Sequence, residues 1–407
     1  MRLLFLSNEF PNLCEPTKAT FNYDLLTALA GEHEVTAIAP ISWWDELRTR
    51  CRHPFRPWPR RRQLDRLVVH HPRFYYTPGR LRHLYGTFLW WSLRATISRI
   101  RRGPRPDCVL SYWAHPDGEA AVRLARALGV PSVVMVGGSD VLLLARDPRR
   151  QDCIRRVLEQ ADAVIAVSRD LADKVVALGV APQRVHVLRR GVDGSVFSPG
   201  DRAAARQELG LPADRRLLLW VGRMVPVKGL DTLLAACDRL RQRTQDFQLC
   251  LVGDGPLRSP LAAEVQQRGL SEHVTFVGSV DHAQLSTWFQ AADLTVLPSR
   301  SEGIPNVLLE SLACGTPFVA SAVGGVPEIA GHAAARLVPP DCPDELAAAL
   351  EAVLAERPTV DEADRPHTLQ QFAARVADLA RELRHSAGQA AGRRHDVPPV
   401  ESTACQT

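Results

Sequence analysis

Long apolar runs, paired cysteines and metal-binding motifs are all missing from this chain of 407 residues. No stretch reaches the roughly 18 to 20 apolar residues that span a bilayer, and the apolar start at Met1 turns polar at Ser7, too early for a signal peptide. The nine cysteines are odd in number, scattered and never spaced as Cys-x-x-Cys. These absences argue against a disulfide scaffold and a structural zinc site, and they favour a reducing, cytoplasmic location. No Asp-x-Asp sequence suggests a bound metal.

The composition is that of a soluble globular protein, with 45% apolar and 23% charged residues. The length exceeds what one hydrophobic core usually supports, so two large domains are expected. Short strand-like runs alternate with amphipathic helical stretches, the pattern of parallel sheets covered by helices. The predicted strands cover residues 3–6, 35–39, 108–111, 132–136, 163–167 and 185–188, then 217–221, 248–252, 274–277, 294–297, 318–320 and 336–338. The sequence thus predicts an α/β fold with two doubly wound parallel sheets.

A glycine- and proline-rich stretch at residues 190–201 interrupts the periodicity near the middle of the chain. We therefore expect an N-terminal domain over residues 1–190 and a C-terminal domain over residues 200–360. Beyond them, apolar residues recur at spacings of three and four and predict one helix over residues 366–385. These residues are Leu369, Phe372, Val376, Leu379 and Leu383. Residues 386–407 have little apolar content and are expected to form a disordered tail.

Positive charge is concentrated in one segment of the N-terminal half. From Arg48 to Arg105 the sequence contains sixteen arginines and a single acidic residue, Asp65. The segment also contains aromatic residues, including Trp58, Tyr75, Tyr76, Tyr85, Phe88, Trp90 and Trp91. Arginines beside aromatic rings suit an anionic membrane surface, so the protein is expected to be soluble or peripheral on the inner face of a membrane. A solvated basic face is the alternative, and nucleic acid is not expected because no recognition motif accompanies the charge.

A loop with two cations precedes a helix at the start of the C-terminal half. The sequence Leu217-Leu-Leu-Trp-Val-Gly-Arg-Met-Val-Pro-Val-Lys-Gly-Leu-Asp231 predicts a strand, a loop that carries Arg223 and Lys228, and a helix. A helix N-terminus presents unpaired N–H groups and the positive end of the helix dipole, so together with two cations it forms an anion site. Arginine grips phosphate oxygens with two donors, and lysine acts as a mobile charge. The loop therefore suits a diphosphate, and two solvated surface cations are the alternative.

Two carboxylates lie eight positions apart in a second strand, loop and helix. In Pro298-Ser-Arg-Ser-Glu-Gly-Ile-Pro-Asn-Val-Leu-Leu-Glu-Ser-Leu-Ala-Cys-Gly-Thr-Pro317, Glu302 falls in the loop and Glu310 in the helix. That helix is predicted over residues 307–314, with Asn306 as its N-cap and Gly315 at its end. Ligands bind at the carboxyl ends of parallel strands, so both carboxylates are expected beside one crevice. Such a pair can grip a polyhydroxy ligand or act as the acid and base of glycoside hydrolysis.

These phrases resemble the retaining glycosyltransferases of the GT-B fold, specifically glycosyltransferase family 4, whose signature is a pair of glutamates separated by seven residues. Three further phrases add to the resemblance: Ala313-Cys-Gly-Thr-Pro-Phe-Val319, Gly324-Gly-Val-Pro-Glu328, and the Gly-Arg, four residues, Lys-Gly pattern of the cationic loop. The resemblance implies two Rossmann-like domains that face a central cleft. It also implies a terminal helix that crosses back to the N-terminal domain.

The resemblance further implies a role for each matching residue. Arg223 and Lys228 would bind the leaving diphosphate, Glu302 the sugar hydroxyls, and Glu310 the ribose. Further donor-binding positions implied are Gly222, Val277, Gly303, Ile304, Pro305 and Asn306. The nucleotide diphosphate sugar is then a co-substrate and no separate cofactor is expected. Because two side chains supply the positive charge, no metal is expected either.

The acceptor side departs from the family pattern in two places. Related enzymes have a glycine-containing loop after the first strand, whereas this chain has Ala19-Thr20, so Ala19 is expected to be αR, extended or mildly strained. Many relatives carry a histidine directly before a Gly-x-Asp, where this chain has Gly137, so no role for that histidine is carried over. His115, from a neighbouring strand end, is a candidate for an imidazole at the site or a structural residue. Asp140 and Thr20 are the other candidates on the acceptor or sugar side.

The sequence therefore predicts a metal-independent, retaining hexosyltransferase. It would move a sugar from a nucleotide diphosphate sugar to a hydroxyl of a sugar or lipid-linked acceptor, in polysaccharide, glycolipid or cell-surface glycan synthesis. The alternatives are another reaction on the same fold, such as sugar-nucleotide epimerisation, and a non-catalytic sugar-nucleotide-binding partner of a glycan assembly system. A phosphorylase is disfavoured because this chain has no cofactor-lysine signature. A dinucleotide oxidoreductase is disfavoured because Gly253-Asp-Gly255 lacks the third glycine of the fingerprint.

Overall fold

The computed structural model describes residues 1–52, 59–64, 66–142, 144–244 and 246–395. Its first half contains β1 (Arg2–Leu6), α1 (Thr20–Glu32), β2 (Glu34–Ile38), β3 (Ile41–Ser42), α2 (Trp43–Arg52), β4 (Arg61–Leu64), β5 (Leu67–His70), β6 (Arg73–Phe74), α3 (Tyr85–Ser92), α4 (Arg94–Arg101), β7 (Cys108–Tyr112), α5 (Glu119–Leu128), β8 (Ser132–Val136), α6 (Ser139–Leu142), α7 (Pro148–Gln160), β9 (Ala163–Ala166), α8 (Arg169–Ala177) and β10 (Val185–Val187). Its second half contains α9 (Arg202–Leu209), β11 (Arg216–Val221), α10 (Leu230–Arg241), β12 (Phe247–Val252), α11 (Arg258–Gln267), β13 (Val274–Gly278), α12 (Leu285–Ala291), β14 (Leu294–Leu297), α13 (Asn306–Ala313), β15 (Phe318–Ser321), β16 (Ala335–Val338), α14 (Pro343–Glu356) and α15 (Leu369–His395).

Two sheets organise these elements. The first has eight strands in the order β10-β9-β8-β7-β1-β2-β5-β4, all parallel except β4, which runs antiparallel to β5. The second has six parallel strands in the order β13-β12-β11-β14-β15-β16. The short strands β3 and β6 form a separate parallel pair. The predicted fold class, two doubly wound parallel sheets, is confirmed.

The strand order of the second sheet determines where its loops meet. From β11 the chain adds strands towards one edge of the sheet (β12, β13), and from β14 it adds them towards the other edge (β15, β16). The loops after β11 and β14 therefore leave in opposite directions and open a crevice at the carboxyl ends of these two strands. The loop after β11 carries the two predicted cations, and the loop after β14 carries Glu302. Both predicted binding loops therefore lie at one switch point.

The helix α15 lies against the N-terminal domain. Its apolar stripe, including Phe372, Val376 and Leu379, is buried in one cluster with Leu25 and Leu29 of α1. A second apolar cluster includes residues of both halves, such as Val134, Leu219 and Ile304. The two halves thus share continuous apolar packing.

Each predicted strand has an observed counterpart, but two helix predictions need correction. The helix expected over residues 307–314 is α13, which begins at Asn306; Pro305 occupies the N-cap position and makes no side-chain capping bond. The disordered tail expected from residue 386 is partly helical, because α15 continues to His395. The rest of that predicted tail, residues 396–407, lies outside the described residues.

Candidate functional site

The loops after β11 and β14 pack directly against each other. The loop after β11 ends in a short 3-10 helix (Pro226–Lys228), and Gly229 follows with φ of 63°. A Cβ atom at Gly229 would lie 2.0 Å from the carbonyl oxygen of Pro298, so only glycine allows this approach. Gly222, at the end of β11, donates its N–H to the oxygen of Val252. The first turn of α10 consequently begins beside the second loop.

This packing brings a predicted phosphate ligand and a predicted sugar ligand together. Lys228 Nζ lies 2.6 Å from Glu302 Oε1, and both side chains are largely buried, at 23% and 10% exposure. Arg223 lies at the mouth of the same loop, where it is exposed and forms no ion pair with any described residue. One cation is therefore held next to a carboxylate, and the other faces solvent and is available to an anion.

Glu310 has a histidine partner of its own. His282 Nε2, just beyond β13, lies 3.4 Å from Glu310 Oε1. This bond raises the pKa of His282 above its ordinary value. Sequence reasoning missed His282, although its place directly after a strand end at this edge of the sheet was a usable signal. The two glutamates thus have separate partners, and neither carboxylate is paired with the other.

A cavity of about 170 Å³ lies between α1 and α13 and contains Glu310 in its wall. Thr20 and Asp24 of α1 also line it, as do Arg190 and Asp193. Burial raises the pKa of Asp24 to about 6. The cavity therefore lies between the halves of the molecule and has a mainly apolar wall, into which a few acidic and basic groups are set.

The remaining donor-side predictions lie around these loops. Ile304 is buried in the apolar cluster shared by the two halves, and Val277 packs against that cluster from β13. Asn306, the first residue of α13, lines the cavity beside Glu310. Gly303 contacts the N-terminal domain, since a Cβ atom there would lie 2.8 Å from the oxygen of Gly137. The structure therefore places the predicted donor residues at the interface between the halves.

Tyr112 occupies the space that a side chain at Gly137 would need. A Cβ atom at Gly137 would lie 1.9 Å from the Tyr112 hydroxyl oxygen. The Tyr112 ring packs 5.2 Å from Phe21, and burial raises the pKa of Tyr112 to about 12. The Arg190 guanidinium lies over both rings, 3.8 Å from Phe21 and 5.0 Å from Tyr112. A tyrosine from the neighbouring strand thus fills the volume where relatives are expected to carry histidine.

Asp140 and His115 are structural supports in this arrangement. The fully buried Asp140 carboxylate accepts hydrogen bonds from the N–H groups of Ala114, Gly137 and Gly138. His115, also fully buried, points away from the cavity, with Nε2 3.4 Å from Glu119 Oε2. His115 was a candidate for either an imidazole at the site or a structural residue, and this buried position agrees with a structural role. Ala19 adopts the left-handed conformation, with φ of 46°, which is the strained option of the three expected.

One carboxylate joins the two halves beside the site. Glu328 follows the Gly324-Gly325 turn, and Gly325 donates its N–H to the oxygen of Gly303. The Glu328 carboxylate accepts hydrogen bonds from the first two N–H groups of α8, those of Arg169 and Asp170, each at 3.0 Å. These are the unpaired donors of a helix N-terminus, so the bonds combine hydrogen bonding with a favourable dipole interaction.

Within residues 1–395, outside the undescribed gaps, no group of three His, Cys, Asp or Glu side chains is arranged to hold a metal ion. In the same part of the chain, no helix combines the length and apolar content needed to cross a bilayer.

Two relatives with solved structures share the whole architecture. Sucrose-phosphate synthase from Thermosynechococcus elongatus superposes with a TM-score of 0.73 at 23% identity, over 97% of this chain and 98% of its own. The Anabaena protein HepE, solved in complex with UDP-glucose, superposes with a TM-score of 0.66 at 17% identity, over 97% and 100%. At these identities the similarity establishes the fold.

Sequence comparison finds closer relatives over part of the chain. A D-inositol 3-phosphate glycosyltransferase of Mycobacterium tuberculosis is 42% identical over 222 residues, which is 53% of this chain and 44% of that protein. The match thus spans less than half of the relative's length. Residues 201–372 match the family model described as glycosyl transferases group 1, and residues 19–196 match the model described as glycosyltransferase family 4. Because the two models together cover most of the chain and the fold agrees, this chain belongs to glycosyltransferase family 4 and has the GT-B fold.

Proposed function

We propose that this protein is a retaining glycosyltransferase that uses a nucleotide diphosphate sugar. The contact between Lys228 and Glu302 carries the proposal, because it joins a phosphate-binding group to a hydroxyl-binding group at a distance of 2.6 Å. In a sugar diphosphate, a bridging oxygen joins the anionic phosphate to the anomeric carbon, and the hydroxyls lie on the other carbons of the sugar. A lysine and a carboxylate in contact are therefore suited to the two sides of the bond that breaks.

In the proposed complex, the diphosphate lies against Arg223, Lys228 and the N-terminus of α10. These groups stabilise the negative charge that develops on the leaving diphosphate, which makes a bound metal unnecessary. Glu302 accepts hydrogen bonds from the sugar hydroxyls, and Glu310 accepts them from the ribose. Because Glu302 is already paired with Lys228 and Glu310 with His282, the two glutamates are better suited to holding a donor than to acid and base catalysis.

The proposed chemical step takes place on one face of the sugar. The bond between the anomeric carbon and the diphosphate oxygen breaks, and the acceptor oxygen bonds to the same face. The acceptor proton passes to the departing diphosphate oxygen. The positions of the first-domain candidates support this route, because Asp140 already accepts three backbone hydrogen bonds and His115 faces Glu119. Neither is placed to act as a base in the cleft.

The comparisons indicate which substrates to test first. HepE is solved with UDP-glucose, and the mycobacterial relatives are named for D-inositol 3-phosphate. UDP-sugars and an inositol phosphate are therefore the first donor and acceptor to try. We further propose that the physiological acceptor is a sugar or lipid-linked molecule in glycan synthesis, and that the protein works in the cytoplasm at the inner face of a membrane.

Thermal shift followed by donor hydrolysis tests the transferase. A bound nucleotide sugar at about 100 times its dissociation constant stabilises a protein by roughly 2.7 kcal/mol, so a panel of donors is screened by melting temperature. The best donor is then incubated alone and with acceptors, and the release of nucleotide diphosphate is measured. Lys228→Ala is expected to reduce kcat by about 10²- to 10³-fold, as for loss of one group that stabilises a leaving oxyanion.

The control for that variant is Lys174→Ala, since Lys174 lies on α8 and pairs with Asp170 outside the cleft. Activity of this control should equal that of the unaltered protein. Binding of a donor without turnover on any acceptor would instead indicate a non-catalytic binding partner. That alternative is favoured by the absence of the family's histidine at Gly137, where Tyr112 fills the space.

A further inference from the structure

Exposed apolar side chains cluster in one part of the sequence. Among the described residues, the large apolar side chains recorded as exposed all lie between residues 44 and 91: Trp44, Leu47, Tyr75, Leu81, Leu84 and Trp91. Trp91 is 60% exposed and Tyr75 is 53% exposed. Single exposed apolar residues are common on soluble proteins, but a concentrated set marks an interaction surface.

Hydrogen bonds place the segments that carry these side chains next to one another. Trp43 Nε1 of α2 donates to the oxygen of Tyr76, just after β6, at 2.8 Å. The N–H of Tyr75 donates to Ser92 Oγ of α3 at 3.0 Å. The helix α4 begins at Arg94, two residues after α3 ends. The helices α2, α3 and α4 and the strand β6 therefore form one surface, here called the arginine-aromatic face.

A groove on this face combines tryptophan and arginine. It is lined by Trp90, Trp91, Arg94, Ile97, Arg101 and Arg102 and encloses about 550 Å³. The Arg94 guanidinium lies 4.7 Å from the centre of the Trp91 ring. Tryptophan and arginine in this arrangement are typical of the boundary between lipid headgroups and acyl chains.

The charge on the face is almost entirely positive. The buried Glu46 carboxylate forms ion pairs with three of the arginines, Arg50, Arg60 and Arg73, which fixes α2 to the adjacent strands. Within the described part of the chain, Arg94, Arg99, Arg101 and Arg102 form no ion pairs. Two of the residues that the sequence assigns to this segment, Trp58 and Asp65, lie outside the described residues.

We propose that the arginine-aromatic face docks on an anionic phospholipid bilayer, with Trp91, Tyr75 and the leucines of residues 81–84 at the interface and the arginines at the headgroups. Exposed leucines and tryptophan favour a bilayer over nucleic acid, because the acyl-chain boundary can bury all of them at once, whereas a duplex exposes mainly phosphates and groove edges. The face is also connected to the cleft, since Gly86 of α3 lies 3.4 Å from His115 Nε2, in the turn that Asp140 holds. The inference adds a partner to the proposed function and does not depend on the transfer chemistry.

Vesicle sedimentation of the full chain tests this inference. Vesicles of phosphatidylcholine alone are compared with vesicles that contain 30% phosphatidylglycerol, at low and high salt. We expect sedimentation only with the anionic vesicles, and less of it at high salt because the attraction is screened. The triple variant Arg94→Gln, Arg101→Gln, Arg102→Gln should bind on the order of a hundredfold more weakly, since each arginine near an anionic surface contributes about fivefold.

Two further variants separate charge from the apolar contribution. Trp91→Ser with Tyr75→Ser should weaken binding at high salt, where charge is screened. The matched control Arg215→Gln, Arg239→Gln, Arg243→Gln removes three arginines from the C-terminal domain and should bind as the unaltered protein does. Donor hydrolysis by the face variants should be unchanged, so a failure here is distinct from a failure of the proposed transferase.

Three results would overturn the proposal: no sedimentation with anionic vesicles at low salt, equal loss of binding in the C-terminal control, or binding to a DNA duplex without binding to vesicles. Melting temperatures of all variants establish that they are folded.

Discussion

Gly137 and Tyr112 share one volume at the junction of the two halves. The Tyr112 ring cannot move aside easily, because Phe21 and Trp113 pack against it at 5.2 and 5.8 Å. The backbone of Gly137 also touches Gly303 across the cleft. A change at residue 137 therefore affects both the first sheet and the loop that carries Glu302.

We predict that Gly137→Ala destabilises the protein by about 1–3 kcal/mol, the usual result of forcing an extra methyl group into a packed region. Tyr112→Leu should relieve part of this loss, so the double variant is more stable than the sum of the single changes predicts. Thermal melting of the four proteins measures the coupling. Gly331→Ala is the control, since nothing lies within 4 Å of a Cβ atom there. Additive effects at residues 112 and 137 would show that the clash does not matter.

The bond between His282 and Glu310 should make donor binding depend on pH. The pKa of His282 is raised because Glu310 bonds to its protonated ring. The pair therefore stabilises the donor-free protein fully below a pH of about 6.5, the usual pKa of histidine. This stabilisation is lost as the pH rises through the higher pKa that His282 has in the folded protein. A ribose competes with His282 for Glu310. We therefore predict that affinity for a nucleotide sugar increases as pH rises above 6.5.

Calorimetric titration from pH 6.5 to 8.5 checks this dependence. Burial raises the pKa of Asp24, which faces the same cavity, only to about 6, so Asp24 is largely ionised across this range. Asp193 and Arg190 also face the cavity. His282→Gln should flatten the profile, and Asp24→Asn should preserve its slope. An unchanged slope in His282→Gln would assign the dependence to another group.

At the scale of elements, the sequence predicts strands well where apolar runs are bounded by turns. It does not predict the two-residue strand β3, nor β4, β5 and β6, which lie in the arginine-rich segment. The strand β4 has the sequence Arg-Arg-Gln-Leu and forms the edge of the first sheet, where charged side chains are favoured because they prevent pairing with other molecules. Such a strand lacks the apolar signal on which the prediction depends.

The sequence predicts those site residues that lie in loops or helices directly after a strand. Arg223, Lys228, Glu302 and Glu310 were located by the strand, loop and helix that surround each of them. The partner of Glu310 was not, because His282 approaches it from a different strand end. The orientation of His115 was not predictable either, since it depends on contacts with α3 and α5. Contacts between distant segments determine these features; the sequence shows only that His282 follows a strand end, not which side chain it contacts.

The helix α15 shows why a polar tail can remain helical. Beyond Leu383 it lacks apolar residues to pack, which is why disorder was expected from residue 386. Residues 384–395 nevertheless include three alanines and three arginines, which have high helix propensity, beside the two weak helix formers Gly388 and Gly392. Once the apolar stripe has nucleated the helix against α1, each added residue costs little. The helix therefore extends past the surface that holds it.

For the whole molecule, Glu328 is positioned to hold the cleft closed. We predict that Glu328→Ala enlarges the radius of gyration measured by small-angle X-ray scattering, because the carboxylate that bonds the N-terminus of α8 is lost. Stability should fall by about 1 kcal/mol, the typical effect of losing a helix cap.

Ser168→Ala is a matched control for this change. Ser168 caps the same helix from within the N-terminal domain, through a bond from the N–H of Leu171 to its hydroxyl oxygen. This variant should lose similar stability without any change in the radius of gyration. Equal dimensions of Glu328→Ala and the unaltered protein would mean that other contacts hold the cleft.

The two chain segments that cross between the halves run side by side. Val192 donates its N–H to the oxygen of His367 and accepts from the N–H of Leu369, each at 2.9 Å. The C-terminal domain is therefore an insertion whose entry and exit points are tied together, so its ends stay close however far the cleft opens. We expect that the C-terminal domain of a relative could replace this one without a new linker. The N-terminal domain already holds the two connecting segments together, so the replacement adds little loop-closure entropy.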